Sequence, residues 1–205
     1  MKNVIKNTKK GIFMVIMFAT MLSFANEVSF YSITKNGNET SLTLNNVKAG
    51  DLLSILDDKD VVLYKEIIQK DGSYTKGFDL STLPDGSYTF ELNKAVEINT
   101  IPFTISNNNV TINKTAEKTI YKPITRVKGS VVLISRFSLE KQPLTVEIYY
   151  SADDSVYNNA ELIYSEKIKD TENYNRVFRL ADINKGSYRI VYNTDGRSFT
   201  EEINK

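Results

Sequence analysis

The chain has 205 residues, 41% of them hydrophobic and 25% charged, with a net charge of +1 and neither histidine nor cysteine. The missing side chains exclude Ser-His-Asp and Cys-His nucleophiles, the usual zinc sites, histidine acid–base catalysis and disulfide staples. No Gly-rich phosphate loop is present, so no cofactor is expected and enzymatic activity is not expected.

Residues 1–25 follow the plan of a secretory signal. Lys2, Lys6, Lys9 and Lys10 precede an apolar run from Gly11 to Phe24, and Ser23 and Ala25 flank Phe24 as small residues. That run is shorter than the roughly 20 apolar residues of a spanning helix, so cleavage after Ala25 is expected, with membrane contact only before it. Cleavage removes four lysines and no acid, leaving 22 basic and 25 acidic side chains, a net charge of −3. The charge clusters that remain alternate in sign, which argues against a nucleic-acid partner.

Everything after the signal reads as short strands separated by turns. Leu52 to Leu56 and Val61 to Ile68 flank a polar tip, the pattern of a hairpin. Asp57, Asp58 and Asp60 in that tip are weak calcium candidates, because hard cations take several carboxylate oxygens. Turn dipeptides recur at Asn36-Gly37, Asp71-Gly72, Asp85-Gly86 and Asp195-Gly196, and Asn107 to Asn109 supply another turn. No stretch holds a 3.6-residue apolar period for three turns, so no substantial helix is predicted. In the run Gly86 to Leu92, Tyr88, Phe90 and Leu92 share one face, as Tyr188, Ile190 and Tyr192 do further on. Alternate strand residues point the same way, which assigns both sets to cores.

The chain repeats itself at an offset of one hundred residues. Residues 63–92 laid on 163–192 share nine identities in thirty positions: Tyr64/Tyr164, Glu66/Glu166, Ile68/Ile168, Tyr74/Tyr174, Phe78/Phe178, Leu80/Leu180, Gly86/Gly186, Ser87/Ser187 and Tyr88/Tyr188. This is an internal duplication, and the fold class it predicts is all-β: two tandem immunoglobulin-like or fibronectin III-like antiparallel β-sandwiches. Module one is expected over 27–118, a short stiff linker over 119–125 around Pro123, and module two over 126–205.

The identities peak in Leu83-Pro-Asp-Gly86-Ser-Tyr88 and Ile183-Asn-Lys-Gly186-Ser-Tyr188. A tyrosine just after a tight turn can bury its ring and send its hydroxyl to an upstream backbone carbonyl, a tyrosine corner. Each glycine would permit the positive φ such a turn can require. Tyr31, Tyr121, Tyr149 and Tyr157 are not placed by the repeat and are the candidates for an exposed sugar platform.

The pattern from Leu63-Tyr-Lys-Glu through Phe78-Asp-Leu-Ser-Thr-Leu-Pro-Asp-Gly-Ser-Tyr88, repeated from Ile163 to Tyr188, resembles the β-sandwich modules of secreted Bacteroidetes proteins. It is similar to the sorting domains of type IX secretion and more loosely to fibronectin type III domains. As a whole the chain resembles small secreted flavobacterial proteins of unassigned function. The resemblance implies a fold and an exported location, at the cell surface, in the periplasm or released. The function expected is that of a non-enzymatic interaction or structural protein, in adhesion or assembly, with a protein partner or self-association through edge strands. A carbohydrate-binding sandwich, with a glycan as partner, is the alternative.

Overall fold

A computed structural model describes residues 29–37, 39–152, 160–181 and 186–204. The first sandwich begins with β1 (Tyr31–Asn36), β2 (Glu39–Val47), β3 (Leu52–Asp57), β4 (Val62–Ile67) and β5 (Gly72–Asp79). It continues through β6 (Gly86–Asn93), β7 (Glu97–Ser106), β8 (Asn109–Ile112) and β9 (Lys118–Tyr121). The second comprises β10 (Ile124–Lys128), β11 (Val131–Phe137), β12 (Leu144–Ser151), β13 (Glu161–Ile168), β14 (Asn173–Arg179), β15 (Ser187–Thr194) and β16 (Arg197–Ile203). The helical elements among the described residues are two 3-10 turns, Leu80–Thr82 and Lys114–Ala116.

Both sandwiches have one topology. In the first, a β1-β2-β5 sheet faces a sheet ordered β4-β3-β6-β7-β8, to which β9 adds by pairing with β7. In the second, β10-β11-β14 faces β13-β12-β15-β16. Every pairing is antiparallel, and equivalent strands occupy equivalent places. Even an irregularity repeats. Leu56 pairs with Val62 and Ile55 with Tyr64, leaving Leu63 as an extra residue on β4; Ile163 is the extra residue on β13. Such bulges twist an edge strand and blunt it against pairing with another chain.

The period-2 pattern accounts for the cores. Tyr88, Phe90 and Leu92 on β6 are buried with Leu42, Leu44, Leu53 and Phe103, and Tyr188, Ile190 and Tyr192 on β15 with Val132, Ile134, Val146 and Ile148. In the first core the rings form a continuous series. Tyr64 meets Phe78 edge-on at 5.2 Å, Phe78 meets Phe90 at 5.5 Å, and Phe103 stacks on Phe90 at 4.6 Å and on Tyr88 at 5.5 Å. Tyr164 and Phe178 repeat the edge-on pair at 4.9 Å, but Ile190 stands where Phe90 would be and the series stops.

The segment expected as a linker is largely strand. Residues 119–121 lie in β9, paired with β7, and β10 starts at Ile124, so Lys122 and Pro123 alone stand between them. Pro123 is buried, and Lys122 Nζ donates to Asn93 Oδ1 at 2.6 Å.

Candidate functional site

The repeated Gly-Ser-Tyr segments lie at the start of β6 and β15. The Tyr88 ring is 7% exposed, and its hydroxyl donates to the Pro84 carbonyl at 2.7 Å. Tyr188, 5% exposed, donates to the carbonyl of Ala181. Leu83 packs partly buried against the first core; Ile183 lies outside the described residues. Gly86 does not take the positive φ that its place after Asp85 suggested. The chain reverses before it, through the 3-10 turn and Leu83-Pro84-Asp85, and Gly86 is already paired with Ile105 as an extended strand residue. Gly186 is required by crowding: a Cβ there would collide with the Ser151 carbonyl oxygen and lie 2.8 Å from the Tyr150 ring.

The three aspartates do not form a cation site. Asp57 Oδ1 accepts the backbone N–H groups of Lys59 at 2.9 Å and Val61 at 2.8 Å, holding the turn, while Asp60 sits at φ 61°. No group of three carboxylates suited to a metal ion occurs among the described residues. The tyrosines offered as a sugar platform are dispersed. Tyr31 is buried in the first core with its hydroxyl on Glu117, Tyr121 meets Phe137 edge-on at 5.0 Å, and the Arg189 guanidinium lies 4.9 Å from the Tyr149 ring centre. Tyr157 is outside the described residues.

Two arrangements remain that sequence reasoning did not assemble. One is duplicated. β4 and β5 are edge strands of opposite sheets, and Glu66 of β4 takes hydrogen bonds from Tyr64 and, at 2.9 Å, from Lys76 Nζ of β5. Across β13 and β14, Glu166 accepts Tyr164 at 2.8 Å, Tyr174 at 3.1 Å and Arg176 at 3.0 Å. Each cluster latches one open side of its sandwich. The Tyr74 hydroxyl, equivalent to that of Tyr174, is buried without a hydrogen-bond partner. Tyr64/Tyr164, Glu66/Glu166 and Tyr74/Tyr174 are identities of the repeat, and Lys76/Arg176 keeps the charge at the remaining position.

The hydrogen bonds from Tyr64 and Lys76 hold the Glu66 carboxyl at about 2. Burial alone would raise Glu166, but its bonds from Tyr164, Arg176 and Tyr174 together outweigh that and hold it low. Burial next to Glu66 pushes Tyr74 up to about 12. An ionised, donor-saturated carboxylate is a fixed anchor and a poor proton donor at neutral pH. Its linkage has a definite sign. With the folded pKa below the ordinary value of 4.5, the latch stabilises fully above about pH 4.5, and that stability is lost as pH falls towards 2. The melting temperature is therefore expected to drop through this window and to drop less in Glu66→Gln. An unchanged slope in the variant would contradict the latch.

The other arrangement joins the sandwiches. Asp195 and Gly196 take φ of 53° and 69°, the two positive values of a type I′ hairpin turn, between β15 and β16. This turn sets Asp195, whose side chain is 5% exposed, 2.5 Å from Lys118 Nζ of β9. The adjacent Arg197 pairs with Glu91 of β6, 9% exposed. Lys122 and the Tyr121–Phe137 contact complete the junction. A cleft of about 210 Å³ opens there, lined by Glu117, Tyr121, Leu139, Glu140, Gln142 and Asp195 among others. Its volume is below the range of small-molecule sites. Each carboxylate in it is already engaged, Glu117 by Tyr31, Glu140 by Gln142 and Asp195 by Lys118.

No protein family's profile matches the chain, and no curated protein matches it. Among solved structures, the human OSCAR ligand-binding domain matches at 8% identity and a TM-score of 0.25, over 84% of this chain and 94% of that one. The BSP domain of a biofilm-associated protein matches at 11% and 0.24, over 85% and 29%. Native alpha-2-macroglobulin from Escherichia coli, domains MG0-NIE-MG1, matches at 14% and 0.22, over 83% and 68%. Superpositions this loose carry no functional argument.

Proposed function

We propose that the protein is exported and acts as a non-enzymatic interaction or structural protein, at the cell surface or in the periplasm, in adhesion or assembly. The observation that carries this reading is the junction. Two buried carboxylates, Glu91 on β6 and Asp195 in the β15–β16 turn, each answered by a cation from the other sandwich, fix two modules of one topology to each other. Their sheet faces are thereby presented at a set spacing, as a surface-borne contact protein requires. The leader-like residues 1–25 and the resemblance to small secreted flavobacterial proteins support export.

Cell fractionation tests it. Protease treatment of intact cells and an intact mass of the recovered protein should find a chain beginning at Asn26 that is either digested from outside or protected until the outer membrane is opened. A full-length chain in the cytosol would contradict the proposal.

A further inference from the structure

The duplication preserves cores, corners and latches, but the outer faces of the two equivalent three-stranded sheets have diverged in sign. On the β10-β11-β14 sheet, Arg126 pairs across to Leu133 and Leu133 to Val177, and the next row runs Lys128, Val131, Arg179. Leu133 and Val177 are 37% and 66% exposed. The strand positions of this face hold no acid, and its three cations form no hydrogen bond or ion pair among the described residues. On the β1-β2-β5 sheet the equivalent face carries Ser41, Thr43 and Thr75, with Glu39 and Asp79 directly opposite each other, and no cation. Two like charges facing across a strand pair repel and gain from an incoming cation.

We infer that the cationic face of the second sandwich docks on the acidic, hydroxyl-bearing face of the first sandwich in another copy of this chain, giving a head-to-tail assembly. The occupant follows from charge complementarity between two faces of one topology. Because the patches are different surfaces, the contact is heterologous and propagates. A three-stranded face of seven-residue strands spans roughly 300 Å² per side, less than half of a standard interface, so each contact is weak and electrostatically steered. This inference rests on the interaction reading above. A protein that stays monomeric yet is cleaved on intact cells would sink self-assembly and leave that reading standing.

The test is sedimentation velocity of the protein purified after export, with two charge variants. At about 10 mM ionic strength, where screening extends over about 30 Å, the sedimentation coefficient should rise with concentration, and the rise should vanish at about 1 M salt. Arg126→Glu/Arg179→Glu makes both faces acidic and Glu39→Lys/Asp79→Asn makes neither acidic; Asn retains the Asp79 cap on the 3-10 turn. Each variant alone should lose association at least tenfold, and an equimolar mixture should recover it, because each then supplies the face the other lacks. A monomer at all concentrations at low salt overturns the inference. So does association that the variants leave unchanged, or a mixture no better than either variant alone.

Discussion

Gly186→Ala is expected to destabilise the second sandwich by about 3 kcal/mol, whereas Gly86→Ala is expected to be neutral or slightly stabilising. In sequence the two glycines are the same residue of the same motif. In space, a Cβ at position 86 would meet the Tyr88 ring at 3.6 Å, an ordinary contact. At 186 it would run into the carbonyl oxygen of Ser151, the last residue of β12, and a backbone atom paired within a sheet cannot move aside as a side-chain tip can. Since 1 kcal/mol corresponds to about 4–8 °C for a domain of this size, Gly186→Ala should lower the melting temperature by more than 10 °C. Equal effects at both positions would show that the second sandwich does not bring Ser151 against Gly186.

The second large effect is expected at the junction. Lys118→Met and Arg197→Met each leave a carboxylate, Asp195 or Glu91, buried without its cation. Breaking a fully buried pair in this way costs about 3–5 kcal/mol, and each cation here is one-third exposed, so about 2 kcal/mol per substitution is the appropriate scale. The pairs share one turn, and their losses should not be independent. In the double variant the cost should fall on the contact between sandwiches and spare the two cores, which share no side chain. Calorimetry should then show unfolding separate into two transitions where the unmodified chain gives a more nearly single one. A double variant that melts as the unmodified chain does would remove the turn from any clamping role.

Much of this architecture is legible in the sequence because it rests on period-2 alternation and turn residues, which are local. The parity of Tyr88-Phe90-Leu92 and the Asn-Asn and Asp-Gly turns act within a few residues, so sequence order suffices to find them. The latch could not be assembled in that way. Tyr64, Glu66 and Tyr74 stand out as identities of the repeat, yet their meeting depends on β4 and β5 lying at the same side of two different sheets, with no ladder hydrogen bond between them. The same holds for Asp195, which reads as an ordinary hairpin residue until β9 places Lys118 beside it. The Pro123 region reads as a linker because Pro interrupts alternation, but β9 ends two residues before it, already paired with β7. Gly86 reads as a left-handed turn residue because Asp-Gly usually is one, but here the preceding 3-10 turn has already reversed the chain.

If the Asp195–Arg197 corner clamps the two sandwiches, they hold one fixed arrangement in solution. The chain has no cysteine, so spin labels can be placed at will through Ser73→Cys on β5 and Thr200→Cys on β16, both exposed strand positions. Pulsed electron–electron resonance between them should give one narrow distance distribution, broadened in the Lys118→Met/Arg197→Met background. A broad distribution in the otherwise unmodified protein would mean that the sandwiches move independently and that this corner does not clamp them.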